Sequence, residues 1–66
     1  MSGLIKFADS TANCLIFDMS ISGAAIEVTN PHDIPERFSL LFKGDDIPLS
    51  CCVVWRKDDR IGVTFE

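Results

Sequence analysis

Asp18, Ser20 and Gly23, spaced as D-x-S-x-x-G, are the residues of this sequence whose types and spacing could do recognition chemistry. A carboxylate accepts two parallel hydrogen bonds from a planar donor edge, such as the N1–H and N2–H of guanine, and a hydroxyl gives or takes one more. A glycine without a Cβ lets a flat ring come close to the backbone. The same three residues also suit a tight turn. Asp18 and Ser20 can accept from backbone N–H groups two positions on, and Gly23 can adopt positive φ. Turns built from Asp, Ser and Gly recur throughout β proteins, so spacing alone favours the turn reading.

Other chemistry finds little support. The three cysteines, Cys14, Cys51 and Cys52, are odd in number and accompany no export signal, which argues against a disulfide framework. Cys51 and Cys52 are adjacent, so on a strand their thiols point to opposite faces and cannot chelate one ion. The single histidine, His32, lies in Asn30-Pro31-His32-Asp33, a loop, and no metal or cofactor site is expected. No nucleophile and base stand at workable spacing, so no enzymatic activity is expected. Ten acidic and six basic residues give a net charge of −4, the wrong sign for gripping DNA or RNA. Lys57 and Arg60, the basic residues nearest a stripe, flank Asp58 and Asp59.

The elements that must position these residues are short. A chain of 66 residues makes one domain, residues 1–66, with a small core, since a domain of this size buries only about 60% of its unfolded surface. Hydrophobic residues make up 47%, enough for a globular fold, yet no apolar run approaches the length of a membrane helix. No signal peptide is evident, so the cytoplasm is the expected location. Strands are predicted at Gly3–Phe7, Cys14–Asp18, Ala24–Thr29, Arg37–Lys43, Ile47–Arg56 and Ile61–Phe65. Asp9-Ser10, the Asp18–Gly23 stretch, Gly44-Asp45-Asp46 and Lys57–Arg60 supply turns, and Pro31 and Pro35 exclude a helix between the third and fourth strands.

Within the strand Cys14–Asp18, Leu15 and Phe17 share one face and Cys14, Ile16 and Asp18 the other, so cover on both sides is expected. Leu49, Cys51, Val53 and Trp55 share a side of the longest strand. Trp55 is expected in or against the wall, the sharper alternative being an exposed stacking platform. Arg56 is expected in solvent, Cys14 and Cys52 as small apolar fillers, and Phe38, Phe42 and Phe65 in the core. The pattern implies an all-β fold, a small antiparallel barrel or a sandwich, with the barrel favoured because closure removes open edges.

Asp18-Met-Ser20-Ile-Ser-Gly23-Ala24, then Arg37-Phe38-Ser39-Leu40, then Cys52-Val53-Val54-Trp55-Arg56, then Ile61-Gly62-Val63-Thr64-Phe65 together resemble a PilZ domain. The resemblance runs from Cys14 onward. It implies a six-stranded antiparallel barrel of the split-barrel type and a regulatory role in bacterial cyclic di-GMP signalling. It maps the second half of the family's nucleotide site onto Asp18, Ser20 and Gly23. The first half, an R-x-x-x-R segment ahead of the first strand, has no counterpart, because this sequence has no arginine before Arg37. That segment would precede Met1, having been lost or cut off, and without it tight nucleotide binding is not expected. No C-terminal helix follows Phe65. The alternative is a degenerate PilZ-like domain that binds no nucleotide and works as an adaptor through protein partners. A strand edge left open by the missing segment would also favour a homodimer.

Overall fold

The computed structural model describes residues 1–66 and has six strands: β1 (Ser2–Phe7), β2 (Ser10–Met19), β3 (Gly23–Glu27), β4 (Arg37–Phe42), β5 (Leu49–Lys57) and β6 (Arg60–Phe65). All neighbours are antiparallel, in the order β1-β2-β3-β6-β5-β4, and β4 pairs back onto β1 to close a barrel. The expected barrel is therefore present. Its closure leaves neither end strand of the sheet unpaired, which removes the motive given above for a homodimer. The first hairpin turns at Ala8-Asp9 rather than Asp9-Ser10, so β2 starts at Ser10, earlier than its apolar run.

Side-chain alternation fills the interior. Ile5, Ile26, Leu40 and Ile61 are wholly buried, joined by Cys14, Ile16, Val28, Ile34, Phe38, Cys51 and Val63. Phe42 and Phe65 are half-buried against this cluster. Cover on both faces of β2 does not occur: Cys14 and Ile16 are buried, but Leu15 and Phe17 are 52% and 49% exposed. The barrel has one wall and no outer layer, so the outward face of β2 meets solvent. There Arg60 lies over the Phe17 ring, 4.5 Å from its centroid.

Two β-bulges change which residues point outward. Ile16 pairs with Ile26 and Asp18 with Ala25, so Phe17 is the extra residue of β2. Val53 pairs with Val63 and Trp55 with Gly62, so Val54 is the extra residue of β5. Each bulge shifts the side chains that follow it by one face. Trp55, expected beside Cys51 and Val53, therefore stands on the outside and is 45% exposed. Arg56 moves in the opposite sense. It pairs with Ile61, an inward residue, yet stays exposed as expected while its guanidinium turns back onto the chain. Its guanidinium donates to the carbonyl of Ile34 at 2.6 Å and to that of Pro31. Those carbonyls belong to the Asn30–Pro35 connection, where Pro31–Asp33 form one 3-10 turn. Proline occupies its first turn, the one place where the missing N–H costs no bond, so the expected exclusion of any helix there fails.

The buried thiols follow the same geometry. Burial pushes the Cys51 thiol up to about 11, with nearby Cys14 and Glu66 adding to the effect, and burial also raises Cys14. Cys52, facing the other way, is only half-buried. A maleimide titration at neutral pH is expected to modify Cys52 in the folded chain and to reach Cys14 and Cys51 only on unfolding. A thiol held protonated in the fold but ionised in the unfolded chain stabilises the fold less as pH rises. Stability is therefore expected to fall from pH 9 toward about 11.

Candidate functional site

The bulges bring one row of side chains to the outer surface. Read across the strands, the register runs Asp18 on β2, Ala25 on β3, Gly62 on β6 and Trp55 on β5. Neighbouring strands lie about 4.8 Å apart, so the two ends of the row are roughly 14 Å apart at the backbone. Between them the floor is two residues with almost no side chain. The Trp55 indole leans across it: a Cβ placed on Gly62 would lie 2.1 Å from the indole Nε1 and 2.2 Å from Cε2. The indole N–H has no protein acceptor, which leaves a donor at the groove wall.

At the other end of the row is the β2–β3 turn. Ser20 closes it. Its N–H donates to the Gly23 carbonyl at 2.8 Å, its hydroxyl faces the Ser22 hydroxyl at 3.3 Å, and the Ser22 N–H donates to Ser20 Oγ at 3.4 Å. Asp18 takes no part in closing the turn. It is exposed at the end of β2, and its carboxylate accepts no hydrogen bond and pairs with no cation. The structural use expected of it is unfilled, and four acceptor lone pairs face solvent. Gly23 also departs from expectation. It is a buried residue of β3, and Gly44 is the glycine with positive φ. What demands glycine at position 23 is close approach: a Cβ there would lie 2.2 Å from the Val63 carbonyl oxygen.

Asp18, Ser20, Gly23, Ala25, Gly62 and Trp55 line one open groove of about 350 Å³. The structure thus brings all three sequence-predicted residues together and adds Ala25, Gly62 and Trp55. A glycine inside a strand, as in Ile61-Gly62-Val63, signals close approach of another group, and it was the available sign of the Trp55 contact. The groove offers a carboxylate for a donor edge, a flat floor, and an indole for a planar ring to rest on. It contains no Lys or Arg. Arg56 is committed to backbone carbonyls, Arg60 to Phe17 and Glu27, and Arg37 stands 3.7 Å from Glu66. A larger cavity, about 900 Å³, opens at the opposite end of β3 and includes none of the three residues.

Gly23→Ala is expected to destabilise the chain by about 1–3 kcal/mol, because the blocking atom is backbone and cannot rotate away. In a thermal melt that amounts to roughly 4–8 °C for each kcal/mol.

A family model described as the PilZ domain matches residues 1–66, the whole chain. Neither the curated proteins nor the solved structures give a match.

Proposed function

We propose a function from one premise: the chain belongs to the PilZ domain family, a family of cyclic di-GMP signalling modules that bind ligands or regulate rather than catalyse. On that premise the outer groove is the base-recognising half of a cyclic di-GMP site, working in the bacterial cytoplasm. Asp18 accepts the N1–H and N2–H of one guanine, Ser20 holds the turn and offers a hydroxyl, and Gly23 keeps β3 against β6. Trp55, beyond the residues named by the motif, supplies a stacking face.

The observation that carries this reading is the Asp18–Ala25–Gly62–Trp55 row, with an unpartnered carboxylate at one end and an exposed indole at the other. A turn serving only to join two strands needs neither. The groove holds no cation for the ligand's two phosphates, and the loss of a charged partner in a desolvated site costs roughly 2–5 kcal/mol. Binding by these residues alone is accordingly weak, and affinity depends on cations brought from elsewhere. The same lack of cations favours a second reading, in which the domain binds no nucleotide and serves as an adaptor for a protein partner. Calorimetry with cyclic di-GMP separates the two. Heat at sub-millimolar ligand that vanishes in Asp18→Asn supports the nucleotide reading, and no heat leaves the adaptor.

A further inference from the structure

Strand β2 is longer than the pairing on one of its sides. Against β1 it is matched from Ser10 to Leu15, and Ile16 extends that ladder by exchanging both backbone bonds with Met1, at 3.0 and 2.6 Å. Against β3 the pairing begins only at Leu15. β3 ends at Glu27; the Val28 N–H continues the ladder with β6, donating to the Asp59 carbonyl at 2.8 Å, and no pairing with β2 lies beyond Glu27. Bonded and non-bonded pairs alternate along an antiparallel ladder. Ile16 directs its bonds to β1, so Cys14 and Ala12 do the same. The N–H and C=O groups of Thr11 and Asn13 then face the other way, where no strand lies, and no bond outside the ladders reaches Ser10–Cys14.

This is an open edge inside a barrel that is otherwise closed. Ser10-Thr11-Ala12-Asn13-Cys14 carries no charge and no proline, the usual means of blunting such an edge. The cavity of about 900 Å³ lies along it, with Asn13, Cys14, Val28 and Phe42 among its lining. Its charged lining residues are Asp45 and Asp59 against Lys43, with Glu27 already paired to Arg60 at 3.9 Å, and Asp9 stands at the far end of the edge.

We propose that this edge is a docking site for an extended, basic segment of a protein partner. The segment adds as a strand beside Thr11 and Asn13, places an apolar side chain in the cavity, and sets Lys or Arg against the acidic rim. Strand addition takes affinity from backbone bonds and specificity from pockets for alternate side chains, and edge and cavity provide one of each. Charge selects the occupant. A second copy of this chain would bring a further −4 and the same Asp9-flanked edge, whereas a basic segment meets opposite charge. The site lies away from the groove and does not depend on the nucleotide reading.

The test is an NMR titration of the full chain with a short synthetic peptide of alternating lysine and valine, beside a glutamate–valine control. Shifted and exchange-protected amides at Thr11 and Asn13 with the basic peptide alone are expected. Asn13→Pro removes an edge N–H that the fold does not use, and is expected to weaken binding about tenfold. Should that variant fail to fold, the pair Asp45→Lys and Asp59→Lys leaves the edge intact and reverses the rim, with weakening of the same order expected. Equal shifts with the acidic peptide, shifts elsewhere, or undiminished binding by a folded variant would overturn the proposal. So would protection of Thr11 and Asn13 that rises with protein concentration alone, which would assign the edge to a second copy.

Discussion

Ile26→Ala is expected to remove a large share of this chain's stability, up to all of it, at 25 °C. Ile26 is wholly buried, pairs with Ile16 on one side and Ile61 on the other, and belongs to the inward row beside the groove floor. Removing its outer atoms costs the lost transfer energy plus that of the cavity left behind, about 2–5 kcal/mol for an isoleucine. A chain of 66 residues has on the order of 3–10 kcal/mol in total. The substitution therefore consumes between a fifth of the stability and all of it. Urea denaturation followed by Trp55 fluorescence measures the change. Ile21→Ala is the control: Ile21 is fully exposed at the tip of the turn, and its replacement should stay within about 0.5 kcal/mol of the parent. Equal effects at positions 21 and 26 would mean that the inward row is misassigned.

The contrast between these isoleucines also marks how far the fold was legible. Alternation identified Ile26, Phe38, Leu40, Cys51, Ile61 and Val63 as sharing inward faces, because a strand's period of two is written directly in its residues. The barrel followed from the number of strands and from the resemblance. The bulges did not. One extra residue at Phe17 or Val54 leaves no gap and no glycine to mark it, since both are good strand formers. Yet each reverses the faces beyond it, which is why the side expected for Trp55 is wrong. The first turn was hidden for a related reason. Its positive-φ position is held by Ala8, φ 49°, where the usual signal would be glycine or asparagine.

The candidate site was legible as residue types and not as geometry. Asp18, Ser20 and Gly23 stand out together, as turn residues by spacing alone and as half of a nucleotide site by resemblance, but spacing does not divide the roles among them. In the fold Ser20 alone makes the turn, Gly23 is fixed by the Val63 carbonyl, and Asp18 has no partner. Ala25 and Gly62 could not be read as a floor until the register placed them side by side. The open edge of β2 was equally invisible. The expected strand begins at Cys14, so Thr11 and Asn13 fall in the polar connection before it, where unpaired backbone groups would mean nothing.

Asp18→Asn gives the sharpest test of what the groove recognises. On the proposed reading the carboxylate takes two donors from a guanine edge, a bidentate contact whose loss is worth about 1–3 kcal/mol, or roughly 5-fold to 150-fold in affinity. Asparagine keeps the size and one acceptor but replaces the second with a donor aimed at N–H groups, so the effect should approach the upper end. The fold should be unaffected, because Asp18 makes no hydrogen bond in it and sits exposed at the end of β2. Cyclic di-AMP supplies the reciprocal comparison. Adenine presents an acceptor at N1, which a carboxylate repels and to which an asparagine amide donates, so the variant should narrow or reverse the preference between the two nucleotides. Trp55→Ala should weaken both ligands alike, by about 1–3 kcal/mol, since stacking does not distinguish the bases. If Asp18→Asn weakens the two nucleotides equally, the carboxylate is not reading a base edge. The unpartnered acid at the end of the row would then be only a solvated side chain.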